Sequence, residues 1–144
     1  MHAHGREKGR REIDVQGDRI LEFALAELME DGDIQRAIRR ARREYRARRD
    51  VLANALRRTF GDSLMFDLPA GGIALWVRTE DRIDVDRWAA EAQKRGAVIT
   101  TARTFAVSGR SRPFARLGFA ALDRAELVEG VRRLRLALRA AGRD

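Results

Sequence analysis

Arg116 is the residue whose type and surroundings most need a chemical explanation. It lies in the apolar segment FARLGFAALD, residues 114–123, which reads as a buried strand running toward the helix-capping residue Asp123. Arginine is almost never fully buried without a partner, and its planar fork matches a carboxylate in geometry. Three explanations stay open: an acid from elsewhere in the chain pairs with Arg116, its side chain extends to solvent at a sheet edge, or it binds an external anion.

Other residues that could carry catalysis are poorly placed. The sequence has no P-loop, G-x-G-x-x-G, H-E-x-x-H or G-x-S-x-G motif. It has no cysteine, which excludes disulfides, thiolate catalysis and zinc bound by cysteine. His2 and His4 stand in a polar N-terminal segment, where two ligands make a weak metal site. Lys94 ends a predicted helix, where its charge suits the helix dipole. We therefore predict no catalytic residue and no metal ligand.

Composition indicates one globular domain. The 144 residues are 44% hydrophobic and 36% charged, and a chain of this length can bury a core. No apolar run reaches the length of about 18 residues that a membrane-spanning helix needs, and the N-terminus lacks the apolar region of a signal peptide. We expect a cytoplasmic protein without membrane contact.

Positive charge is concentrated in one segment. The net charge is +8, and residues 36–58 alone hold ten arginines and two acids. A basic helix of this kind is typical of nucleic-acid binding, and equally of a solvated helix that packs on another domain. Tyr45 is the only aromatic residue among these arginines and falls on the apolar stripe, which disfavours a platform for base stacking.

The predicted elements position Arg116 in a small sheet. A long helix begins near Asp33 and ends at Gly61, with apolar positions at steps of three, four and seven. Strands follow in IALWV, AVITT and FARLGFA, with a helix ended by Gly96 between the first two. Asp123 and Glu126 form a D-x-x-E capping pattern before the last helix. The predicted fold is α+β: a small three-stranded sheet covered on one face by helices and preceded by a long linking helix.

We divide the chain into three regions. Residues 1–18 form a disordered basic arm, residues 19–61 the linking helices, with a short first helix ended by Gly32, and residues 62–144 the small domain. Residues 107–113, VSGRSRP, form a loop before the last strand.

Several segments together resemble a known family. LPAGGIALWV, RGAVITTARTF and ARLGFAALDRAELVEGVRRL are similar, in this order, to the C-terminal small domain of fold type I aminotransferases, which depend on pyridoxal phosphate. The upstream segment from Leu25 to Leu56 resembles the helix that links their large and small domains. The arginine-rich RRARREYRARRD and the LGFA ending are most similar to the MocR-type branch, which are GntR-family transcriptional regulators with a winged-helix DNA reader.

The resemblance implies roles for three residues. Arg116 stands where the family's strand arginine binds the α-carboxylate of an amino-acid substrate or effector. Gly71 and Gly72 stand where the small domain closes on the active site, which needs close approach of the backbone. The sequence departs from many relatives at Thr101-Ala102, where a Pro-Gly turn is common, so the shape of that loop is open.

The resemblance also implies what the parent protein would contain. The Schiff-base lysine, the other pyridoxal-phosphate contacts and the winged helix belong to the family's upstream domains, so we expect this chain to be a C-terminal fragment. We expect no cofactor binding and no transamination from it alone. The predicted partners are an amino acid or related carboxylate effector in the parent, the missing large domain, DNA through the absent winged helix, and a second copy of the chain.

Three functions remain open from the sequence. The first is the effector-binding part of a MocR/GntR-type regulator, favoured by the arginine-rich segment. The second is a fragment of an amino-acid aminotransferase, and the third is a basic nucleic-acid-binding or interaction module.

Overall fold

The computed structural model describes Glu27, Met29, residues 32–106 and residues 112–142. The predicted arm with His2 and His4, most of the predicted helix before Gly32, and residues 107–111 of the predicted loop lie outside the described residues. The chain divides into two compact units, Met1–Ala41 and Arg42–Asp144.

The long helix is present as predicted. Helix α1 spans Asp33–Phe60, and glycines with left-handed φ angles flank it at both ends, Gly32 at 70° and Gly61 at 53°. Only glycine adopts this conformation without steric cost. In the first unit, Arg36 forms an ion pair with Asp33 in the first turn of the helix.

The second unit is built around an antiparallel sheet. Its strands are β1 (Leu64–Met65), β2 (Ala74–Thr79), β3 (Thr100–Thr101) and β4 (Phe114–Gly118), in the order β1-β2-β4-β3. The predicted sheet had three strands, and the structure adds the short strand β1. It also reduces the AVITT strand to Thr100–Thr101, because the chain then turns into a 3₁₀ helix, Ala102–Phe105.

One face of the sheet forms the core with the helices. Alternation along β2 and β4 directs Leu75, Val77, Ala115 and Leu117 to this face, where all four are buried. Helices α2 (Val85–Lys94) and α3 (Arg124–Ala141) supply the rest of the core together with the second half of α1. The helices therefore cover one face of the sheet, and the predicted α+β class is confirmed.

The caps and one buried hydrogen bond fix α2 and α3. The Asp123 carboxylate accepts from the N–H of Glu126 at 2.8 Å while the Glu126 carboxylate accepts from the N–H of Asp123, which confirms the predicted capping pattern. The fully buried Trp88 on α2 donates from Nε1 to the carbonyl oxygen of Leu134 on α3 at 2.9 Å. Within the described residues, no helix combines the length and apolarity that crossing a bilayer requires.

Candidate carboxylate-binding site on the open sheet face

Arg116 lies at the centre of the sheet, on the face opposite the core. In the register of the strands it is the partner of Trp76 on β2 and of Thr100 on β3. Directly paired residues of antiparallel strands project to the same face, so these three side chains share the face that the described helices leave uncovered. Arg116 is half-buried between the buried Ala115 and Leu117. The apolar neighbours that make it look misplaced in the sequence thus point away from it.

Arg116 has no protein partner among the residues that the structure describes: it takes part in no ion pair or hydrogen bond there. Arg78, on the same face, is different, because its guanidinium lies 3.7 Å from the Asp81 carboxylate. Of the three explanations for Arg116, an internal ion pair is therefore not observed within the described part of the chain. The described geometry leaves the other two explanations: the guanidinium extends to solvent, or it binds an external anion.

Aromatic side chains stand beside this guanidinium. Trp76 packs edge to face against Phe105 of the 3₁₀ helix, with ring centroids 5.4 Å apart. Both rings stay accessible, at 48% and 57% exposure. We call the surface formed by Met65, Trp76, Phe105, Phe114 and Arg116 the open face. A cation next to exposed aromatic rings suits a ligand that carries a carboxylate on an apolar body.

The Gly71-Gly72 bend leads into β2, and the space beside it is open. Gly72 has a φ of 95°, which favours glycine whatever surrounds it. A Cβ atom built on either glycine meets nothing within 4 Å among the described residues. Close packing within the described chain therefore does not explain why glycine stands at positions 71 and 72. The backbone conformation explains it at Gly72.

The described residues contain no free lysine that could bind a cofactor covalently. Lys94 is the only lysine among the described residues, and its ammonium lies 2.6 Å from the Glu91 carboxylate on the surface of α2. Hydrogen bonds from Lys94 and then Arg95 lower the pKa of that carboxyl. The described residues also contain no cluster of side chains that could hold a metal ion. The described residues therefore offer no free lysine for a Schiff base with pyridoxal phosphate.

The residues that lie beside Arg116 were not predicted from the sequence. Alternation places Ala74 and Trp76 on one face of β2, but only the strand order and register bring Trp76 and Thr100 beside Arg116. Phe105 lies in a segment that the sequence did not assign to a helix or strand.

Comparisons with known proteins agree with this fold. No protein-family profile matches the chain. It is 25% identical over 122 residues to an uncharacterised aminotransferase of Saccharolobus solfataricus, covering 85% of this chain and 30% of that protein. It is 27% identical to a 2-aminoadipate transaminase of Thermus thermophilus, covering 88% of this chain and 32% of the relative. An uncharacterised HTH-type transcriptional regulator, YisV of Bacillus subtilis, is 26% identical, with 84% and 25% covered.

The solved structures include an aminotransferase with a closely similar fold. The α-aminoadipate aminotransferase LysN of Thermus thermophilus, complexed with N-(5′-phosphopyridoxyl)-L-leucine, has a TM-score of 0.71 at 28% identity, covering 81% of this chain and 30% of the LysN chain. The chain thus spans between a quarter and a third of the length of the relatives it matches. Over most of its length it is related to aminotransferases and to HTH-type regulators, and it has the fold of the aminotransferase segment that it matches.

Proposed function

We propose that this chain is the carboxylate-binding small domain of a pyridoxal-phosphate-dependent transcriptional regulator of the MocR/GntR type. The observation that carries the proposal is the unpartnered guanidinium of Arg116 beside Trp76 on the open face. A fixed cation on a strand can form a bidentate pair with the α-carboxylate of an amino acid, while Trp76 and Phe105 contact the rest of the ligand.

In this proposal the cofactor chemistry belongs to another domain. The only lysine among the described residues, Lys94, is paired with Glu91, so these residues supply no free lysine for a Schiff base with pyridoxal phosphate. Binding of a carboxylate by Arg116 orients a ligand and does not by itself break or form a bond. The chain alone is therefore expected to show no transamination. Borohydride reduction in the presence of pyridoxal phosphate should trap no stoichiometric lysine adduct, and trapping one would contradict this part of the proposal.

A segment of an amino-acid aminotransferase is the second candidate, because transaminases are among the relatives. The arginine-rich segment of α1 and the HTH-type relatives favour the regulator. DNA contact would then come from a winged helix outside this chain. An upstream reading frame that encodes a winged helix joined to a lysine-bearing domain would support the regulator, and a lysine-bearing domain alone would support the enzyme.

The role of Arg116 can be tested by NMR. We would titrate the ¹⁵N-labelled chain with L-leucine at constant ionic strength and follow the amides of β2, β3 and β4. L-Leucinamide, which lacks the carboxylate, is the ligand control. Arg78→Gln is the protein control, since Arg78 lies on the same face and losing it changes the net charge equally.

We expect leucine to shift the resonances around Arg116 in the wild type and in Arg78→Gln, and to leave them in place in Arg116→Gln. A single accessible guanidinium gives weak binding, so the titration extends to tens of millimolar. Equal shifts in Arg116→Gln and in the wild type, or equal shifts from leucinamide, would contradict the assignment of Arg116 as the carboxylate-binding residue.

The open face is also expected to drive association. Met65, Trp76 and Phe105 leave about half of their surface accessible, and exposed apolar patches favour contact with another surface. We expect sedimentation velocity to show self-association of the chain that Trp76→Ser weakens. A strictly monomeric profile at tens of micromolar would contradict this expectation.

A further inference from the structure

A second candidate site lies in a cleft beside α1. Arg42, Tyr45, Arg46 and Arg49 follow one another at helical spacings of three, one and three residues, so they form a stripe on one side of the helix. The stripe lines a cleft of about 480 Å³ whose opposite wall is the bend formed by Ala70, Gly71 and Gly72. We call this the arginine cleft. The residues lining it differ from those that form the open face.

The charge in the arginine cleft is not balanced by the described chain. Arg49 is engaged, since its guanidinium donates to the carbonyl oxygen of Pro69 at 2.6 Å and lies 2.8 Å from the Asp50 carboxylate. Arg42 and Arg46 are exposed and have no ion pair or hydrogen bond among the described residues. No carboxylate lines the cleft. Two like charges one helical turn apart repel each other, and a bound anion would remove this repulsion.

The opposite wall offers further donors. Within the described residues, the backbone N–H groups of Gly71 and Gly72 take part in no backbone hydrogen bond. The absence of side chains on both residues leaves this backbone accessible from the cleft. The Tyr45 hydroxyl adds a group that can donate or accept, and the buried ring of Phe119 adds an apolar surface.

We propose that the arginine cleft binds the phosphate group of a small phosphorylated molecule. A phosphate monoester carries a charge of about −1.5 to −2 near neutral pH and has three strong acceptor oxygens, which match two free guanidiniums and additional donors. A carboxylate has one charge and fewer acceptor positions, so it would leave part of this set unsatisfied. The cleft volume lies within the range of about 300–1,000 Å³ of small-molecule sites, which leaves room for the organic part of the ligand.

A small ligand fits these observations better than a nucleic-acid backbone. Nucleic-acid binding that depends on phosphate contacts uses a series of them along an extended surface, about 6–10 in typical cases. In the arginine cleft, Arg42 and Arg46 line a single concave site together with the Gly71-Gly72 bend. Moreover, two arginines of the same basic segment already hydrogen-bond within the protein, Arg48 to the carbonyl oxygen of Ala120 and Arg49 to that of Pro69.

The test compares two double variants with the same change in charge. Arg42→Gln/Arg46→Gln removes the cleft guanidiniums, whereas Arg39→Gln/Arg43→Gln removes two exposed guanidiniums at the same spacing outside the cleft. Glutamine and arginine have similar helix propensities, so both variants should fold, which circular dichroism verifies. The probes are phenyl phosphate, inorganic phosphate and benzoate at constant ionic strength. The readouts are the melting temperature and calorimetric titration.

We expect phenyl phosphate to raise the melting temperature of the wild type and of Arg39→Gln/Arg43→Gln, with at least a tenfold loss of affinity in Arg42→Gln/Arg46→Gln. Inorganic phosphate should bind at the same site, since the phosphate group is what the arginines recognise. Equal affinity in the two double variants would overturn the proposal, as would benzoate binding as tightly as phenyl phosphate. Duplex DNA binding that depends on Arg42 and Arg46, without binding of either phosphate probe, would also overturn it.

Discussion

Replacing Thr79 with valine should stabilise the protein. Thr79 ends β2 on the core face, is fully buried, and has no hydrogen-bond partner for its hydroxyl among the described residues. Its backbone N–H is satisfied, because it donates to the carbonyl oxygen of Pro113 at 2.8 Å. The side chain alone therefore carries the cost of a buried polar group without a partner.

The magnitude follows from the chemistry of the exchange. A buried polar group without a partner costs about 1–3 kcal/mol, and valine replaces the hydroxyl with a methyl group of similar size. We expect Thr79→Val to raise the free energy of unfolding by about 1–2 kcal/mol. Thr79→Ser keeps the hydroxyl and loses the methyl group, so it should lower that free energy by about 1 kcal/mol.

Urea unfolding, followed by circular dichroism and by the fluorescence of the buried Trp88, measures both variants. With an m-value of about 1–2 kcal/mol per molar urea, the midpoint of Thr79→Val should rise by about 1 M at unchanged m. A midpoint below that of the wild type would show that the hydroxyl has a partner, such as an ordered water, and would refute the reasoning.

Three further outcomes can be measured. Trp88→Phe should lower the free energy of unfolding by about 2 kcal/mol, because it removes buried carbon atoms and also the hydrogen bond to α3. The control Trp76→Phe on the open face should change that free energy by under about 0.5 kcal/mol. Equal losses of the two variants in urea unfolding would contradict this expectation. Asp123→Ala removes the cap of α3 and should cost about 1 kcal/mol in the same assay; an unchanged midpoint would count against it. Hydrogen bonds from Arg132 and then from its neighbour lower the pKa of Glu129 from 4.5 to about 2, so this carboxylate stabilises the fold above pH 4.5 and loses that effect as the pH falls toward 2. Arg132→Gln should raise this pKa toward 4.5 in a carboxyl NMR titration, and an unmoved midpoint would refute the assignment.

Local signals in the sequence were sufficient for the helices that the structure describes. The apolar stripe of α1, the glycine that ends it and the capping pair before α3 each lie within a few residues of the feature that they determine. These predictions were confirmed at Gly61 and Asp123. Strand β1 was missed, because two residues are too few to show an alternating pattern.

The candidate sites depend on contacts distant in sequence, and there the sequence was informative only in part. Arg116 stood out through its apolar neighbours, but Trp76 comes beside it only because β2 and β4 pair antiparallel in one register. The arginine cleft needs α1 to pass the Gly71-Gly72 bend. The spacing of residues along the chain predicts neither of these two contacts.

The order β1-β2-β4-β3 places the two shortest strands, of two residues each, at the edges of the described sheet. An edge strand exposes unpaired N–H and C=O groups that can recruit another strand, and a short edge offers few of them. The described sheet is therefore a poor template for lateral strand addition. Contacts of this unit with another protein surface then depend on side chains rather than on backbone pairing, so single substitutions can tune them.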